Sequence, residues 1–213
     1  MIKRLREEHP HVINIAVIII LHTVGFFGLR SSWKELFIQL TPINLMICAL
    51  LIWNKQKPWK SNQMGIMLLC FFAGYLVEVL GVHSGIIFGE YNYGEGFGPK
   101  LFEVPPLIGL NWALLIYASS TLVNRYLDAF WLRVLLSSLL MTGLDYIMEP
   151  VAISIGFWTW AGNVIPLQNF IAWFVVSLIL QALWHRFYQA GENRSAIGFF
   201  LVQVVFFTLL RLF

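Results

Sequence analysis

Three carboxylates stand where carboxylates are costly. Glu78 lies near the end of one apolar run, Asp145 near the end of another, and Glu149 just beyond it. Ionisable side chains inside apolar spans are functional candidates by default. Asp145 and Glu149 are four residues apart, so a helix running through both sets them on one face. Pro150 is expected to stop or kink that helix at once, because the residue before a proline avoids the helical region. Two crowded acids favour a shared proton, and a protonated carboxyl group facing an apolar cavity is what general-acid chemistry on a hydrocarbon requires. The competing role for such acids is to cap helix ends or to pair with Arg or Lys at an interface.

Two segments flank these acids. Residues 84–103 read SGIIFGEYNYGEGFGPKLFE, with five glycines among Phe and Tyr. Glycine permits tight turns, and Tyr suits a membrane interface. Residues 155–173 read IGFWTWAGNVIPLQNFIAW, and Trp158, Trp160 and Trp173 fit an interfacial aromatic belt. Gln168 and Asn169 add polar groups there. His83 follows Glu78 by five residues, off its helical face, and reads most simply as a hydrogen-bonded structural residue. Asn111, inside an apolar run, is expected to bridge helices by hydrogen bonding.

The elements that position these residues follow from composition. Of 213 residues 59% are hydrophobic, 16% aromatic and 12% charged, with a net charge of +3, and the mean hydropathy is +0.74. Soluble domains carry roughly 25% charged residues. So little charge excludes a soluble globular enzyme, a disordered chain and a nucleic-acid binder, whose basic residues would cluster on one face. Seven runs reach spanning length: about His11–Leu29, Leu36–Trp53, Met64–His83, Val104–Val123, Ala129–Ile147, Leu167–His185 and Ala196–Phe213. The expected fold is all-α, a single polytopic membrane bundle over residues 1–213. Its first span is a retained signal anchor, because no small-residue cleavage site follows it. Cys48 and Cys70 lie within apolar runs and read as packing residues.

Orientation follows from Lys and Arg. Lys3, Arg4, Arg6, Lys55, Lys57, Lys60, Arg125, Arg133, Arg186 and Arg194 fall on one side, against Arg30, Lys34, Lys100 and Arg211 on the other. Ten against four predicts N-in and C-out, with both long loops outside. Several chemistries lack their ligands. The five histidines form no HxxxH or HxxHH cluster, no DDxxD aspartate cluster occurs, the seventh run has no lysine, and there is no GxGxxG or Walker motif.

The ordered blocks EVLGVHSGIIFGEYNYGEGFG, Val104–Pro105, Trp112, LDYIMEPVA, WTW at 158–160 and IPLQNFIAW span about residues 78 to 173. In that order they resemble the carotenoid biosynthesis membrane proteins that include CruF-type carotenoid 1,2-hydratases and bisanhydrobacterioruberin hydratases. The resemblance implies water addition across the terminal C-1,C-2 double bond of an acyclic carotenoid. Asp145 or Glu149 would protonate C-2, and water, positioned by Glu78, would capture the tertiary cation at C-1. His83, Tyr91, Tyr93, Trp112, Trp158, Trp160 and Asn169 would bind substrate, with aromatic faces stabilising the cation. Neither metal nor other cofactor is expected. The expected partners are the carotenoid and membrane lipids, in the cytoplasmic membrane of a bacterium or archaeon. A carotenoid cyclase, which shares the first protonation, and a proton-coupled transporter or lipid-binding protein are the alternatives.

Overall fold

The computed structural model describes residues 11–54, 61–188 and 192–213. Lys3, Arg4, Arg6, Lys55, Lys57 and Lys60, which carry much of the charge asymmetry, lie outside the described residues. Seven helices follow one another: α1 (Val12–Leu29), α2 (Lys34–Trp53), α3 (Ser61–Ser84), α4 (Leu107–Asn124), α5 (Phe130–Ser154), α6 (Leu167–Phe187) and α7 (Arg194–Leu212). Each is long and apolar enough to cross a membrane. The chain is a polytopic helical membrane bundle.

Exposed Leu, Ile, Val and Phe cover the outside of the helices, as a surface facing hydrocarbon requires. The core gathers around α4, which is 72% buried over its span, against 22% for α1 and 39% for α3. α7 packs on α1, α4 and α5 and buries Phe199, Phe200 and Phe207, so it is a member of the bundle. Cys48 and Cys70 are buried free thiols.

Two features go beyond the sequence reading. The first is that α5 continues through Pro150 to Ser154. A proline has no N–H to offer the carbonyl four residues back, which here is Tyr146 O. Arg211 Nη1, from the end of α7, donates to that carbonyl at 3.2 Å. The pre-proline preference is overridden because the freed acceptor finds a partner elsewhere, and the helix therefore carries Asp145 and Glu149 on one face.

The second is a small antiparallel sheet across one end of the bundle. Strand β1 (Tyr91–Tyr93) pairs with β2 (Trp158–Trp160), Tyr91 opposite Trp160 and Tyr93 opposite Trp158. Gly94 N donates to Phe157 O at 2.8 Å and Ala161 N to Glu90 O at 2.9 Å, extending the ladder both ways. The two long loops are thus one structure at one end. Alternation buries the four aromatic side chains and exposes Asn92 and Thr159.

Candidate active site

Glu78 comes from α3, Asp145 and Glu149 from α5, and all three are at least 96% buried, with relative exposures of 4%, 1% and 2%. Among the described residues they neither cap helix ends nor pair with a base. Ion pairs among the described residues join Lys100 to Glu95, Arg133 to Asp128 and Arg194 to Glu192, away from these acids. N–H and O–H donors surround the acids instead.

Glu78 Oε2 accepts from Tyr91 Oη at 2.5 Å and Tyr93 Oη at 2.8 Å, while Trp112 Nε1 donates to Oε1 at 2.9 Å. Glu149 Oε2 accepts from Trp158 Nε1 at 2.9 Å and Trp160 Nε1 at 2.8 Å. The tyrosine strand therefore serves one acid and the tryptophan strand the other. Asn169 Nδ2, near the start of α6, bridges Asp145 Oδ2 at 3.0 Å and Glu149 Oε1 at 3.3 Å. Burial, followed by the neighbouring Glu78, pushes the Tyr91 and Tyr93 phenols up from their ordinary range, so they stay protonated donors.

The three acids differ in one respect. Both oxygens of Glu78 and of Glu149 are met by donors, the arrangement that suits a carboxylate. Asp145 Oδ1 is buried with no hydrogen-bond partner among the described residues, which leaves it room for a proton.

Trp112 is set by close helix packing. A Cβ on Gly74 would lie 2.4 Å from Trp112 Cβ, so only glycine lets α3 and α4 approach closely enough for the indole to reach Glu78. Trp173 stacks on Trp112 with ring centres 4.1 Å apart. Trp158, Trp160 and Trp173 are thus buried around the acids, not spread along an interfacial belt. Trp173 follows Asn169 by one helical turn, a spacing that the interfacial-belt reading passed over.

Two cavities meet here. A small one of about 20 Å³ is lined by Glu78, Tyr91, Tyr93, Asp145, Glu149, Trp158, Trp160, Asn169 and Trp173. A larger one of about 270 Å³ lies among α1, α2, α4, α5 and α7 and is walled mainly by apolar residues such as Leu21, Phe37, Leu115 and Phe206. Glu78, Tyr93, Trp158 and Trp173 line both. Of the residues singled out in the sequence, His83 and Gln168 stand apart from the acids. His83 is exposed, its Nδ1 lies 2.9 Å from Val79 O, and it lines neither cavity, because five residues turn it away from Glu78. Gln168 is likewise outside, its amide donating to Ile86 O.

Residues 35–213 match the family model described as carotenoid biosynthesis protein. The chain belongs to the carotenoid biosynthesis protein family. The chain is also similar to the bisanhydrobacterioruberin hydratase of Haloarcula japonica, 28% identical over 169 residues, a match that covers 72% of this chain and 56% of that protein. The chain therefore spans little more than half the length of that relative. No solved structure gives a significant match.

Proposed function

We propose that the chain is a carotenoid hydratase, adding water across the terminal C-1,C-2 double bond of an acyclic carotenoid end. The observation that carries this is the pairing of cavities. A water needs roughly 10–15 Å³, so the acid-lined cavity of about 20 Å³ has room for one. The apolar chamber that shares four of its walls has the character of a hydrocarbon site.

In this reading the polyene end lies in the chamber with its last double bond against the shared wall. Asp145 gives its proton to C-2, and the double-bond electrons form the new C–H bond, leaving a tertiary cation at C-1. Tyr93 and Trp158 offer ring faces to that cation, and the anionic Glu78 and Glu149 stabilise it by charge. The water oxygen bonds to C-1, and the excess proton passes to Glu78 and back through the acid cluster to Asp145. The sum is one H and one OH added, with no change in oxidation state overall. Asn169 holds Asp145 and Glu149 in register. The hydratase name of the Haloarcula relative supports this reading.

The test is expression in a host that accumulates an acyclic carotenoid, in heavy-oxygen water, with mass analysis of the pigments. The expected product gains one water per reacted end and carries the heavy oxygen. An isomeric cyclic product without label would identify a cyclase, and unchanged pigment would dismiss both.

A further inference from the structure

The large chamber is closed along one side of α1 and open along the other. Of the described residues that line it, only Val24 on α1 and Leu40 and Ile43 on α2 are exposed, at 51%, 38% and 49%. A side chain that both walls a cavity and faces the surrounding hydrocarbon stands at an opening. The seam between α1 and α7 offers none. There Phe206 packs 3.7 Å from where a Cβ on Gly25 would lie and meets the His22 ring edge-on, with ring centres 5.1 Å apart. Gln203 Nε2 closes the same seam, 3.2 Å from His22 Nε2.

The seam between α1 and α2 is pinned at both ends and not in the middle. Near the end of α1 the Phe37 ring packs on Gly28, where a Cβ would lie 2.3 Å from it. Near the start of α1, Asn14 Nδ2 donates to Leu51 O. At 1.5 Å per residue the two pins stand about 20 Å apart along the helix. Their common antiparallel register sets Val24 opposite Thr41 and Leu21 opposite Asn44, midway between them, and all four line the chamber. Pro42 falls at that level of α2. It has no N–H for the helix ladder, and such a gap is a common cause of bending.

The lips of this slit carry no charge and no hydrogen-bonding side chain. Lying midway along two spans, they face the hydrocarbon centre of a bilayer, far from its headgroups. A hydrocarbon dissolved there reaches them directly, whereas an ionic molecule does not reach that depth. We propose that the slit between the middles of α1 and α2 is a lateral portal, through which the end of an acyclic polyene slides into the chamber while the rest of the chain stays in the lipid. The proposal rests on the carotenoid reading above and adds its route of entry. One lip belongs to α1, which precedes the residues matched by the family model.

Binding, not turnover, is the test. In the full chain, Val24→Cys and Leu40→Cys are joined across the slit by a short, reducible bifunctional thiol reagent, with the buried Cys48 and Cys70 left in place. The bridged protein is reconstituted into phosphatidylcholine nanodiscs containing lycopene, an acyclic polyene hydrocarbon. Quenching of tryptophan fluorescence reports entry, because Trp158 and Trp173 line the chamber. The bridge is expected to remove quenching that the unbridged protein shows, and reductant to restore it. A second bridge, from Ile15→Cys to Gly198→Cys, ties α1 to α7 away from the slit, where a Cβ on Gly198 would lie 2.8 Å from Ile15. It is expected to leave the quenching at the wild-type level. Should the first pair fail to fold, Val24→Phe with Ile43→Phe narrows the slit from lipid-facing positions and is read in the same way. Undiminished quenching in the protein bridged across the slit overturns the proposal. So does equal loss from both bridges, the result expected if any tether on α1 hinders binding. Bridge-sensitive quenching without hydrated product would sink the hydratase reading and leave the portal standing. Hydrated product formed at the same rate with the bridge in place would do the reverse.

Discussion

Asp145 and Glu149 sit one turn apart on the same helix and share one bridging amide, yet their hydrogen-bond shells differ. Donors to both oxygens hold Glu149 as an acceptor, whereas Asp145 Oδ1 is bare among the described residues. The proton donor is therefore expected to be Asp145. Asp145→Asn should lower hydrated-product yield per folded protein by about a hundredfold to ten-thousandfold, the range for losing a general acid. Glu149→Gln should lose less, since its proposed role is electrostatic, and the exposed Glu192→Gln serves as control. Near-native yield from Asp145→Asn would mean that the acid is misassigned. Trp160→Phe keeps a flat apolar ring but removes one N–H from Glu149 Oε2. Loss of a hydrogen bond to a buried charged group costs about 1–3 kcal/mol, so a lowered thermal midpoint is expected alongside reduced yield. An unchanged midpoint would show that Trp158 alone satisfies Glu149.

The strands bring the donors to the acids, and they depend on a glycine. Gly94 follows β1, and a Cβ there would sit 2.0 Å from Gly156 O, a backbone atom that no side-chain rotation can clear. Gly94→Ala should pry β1 from β2, leaving circular-dichroism helicity intact while product yield collapses. Full yield from that variant would show that the sheet is dispensable. The sequence carried the helices clearly, since apolar runs of spanning length have few other fates. It carried the strands only as a trace: Tyr-Asn-Tyr and Trp-Thr-Trp both alternate with period two, but three residues are too few to outweigh an interfacial reading. The path of α5 through Pro150 was not legible at all, because it depends on Arg211 donating from another helix. The three acids were legible from their cost in an apolar run. His83 was misleading because it adjoins the site in sequence but faces away from it. Asn111 was misread because a polar group in a span is expected to find a protein partner, and here it finds a cavity.

At the scale of the whole molecule, the acids and both loops lie at one end of the bundle. The pairing of β1 with β2 requires it, and the donation from Lys34 Nζ at the start of α2 to Ser154 O at the end of α5 agrees. The other end is tied separately, by Asn193 Nδ2 to Ile52 O at 3.0 Å and Asn14 Nδ2 to Leu51 O at 2.5 Å. Which end faces the cytoplasm is a matter of charge. The ten-to-four division of Lys and Arg predicts that the amino terminus and the Asn193 end lie inside. With that orientation the acid end would face outward, and in the hydratase reading water would enter from the outer aqueous phase through the loops while the polyene would reach the chamber from the lipid. Single cysteines test this, because native Cys48 and Cys70 are buried and contribute little background. Glu95→Cys and Val164→Cys, at exposed loop positions, are expected to react with a membrane-impermeant maleimide in intact cells. Tyr126→Cys, between α4 and α5 and 72% exposed, is expected to react only after permeabilisation. Complete reversal of this pattern would invert the bundle but keep the site. Labelling of positions 95 and 164 from opposite sides would break the sheet, and with it the convergence of Glu78 and Glu149 on one cavity.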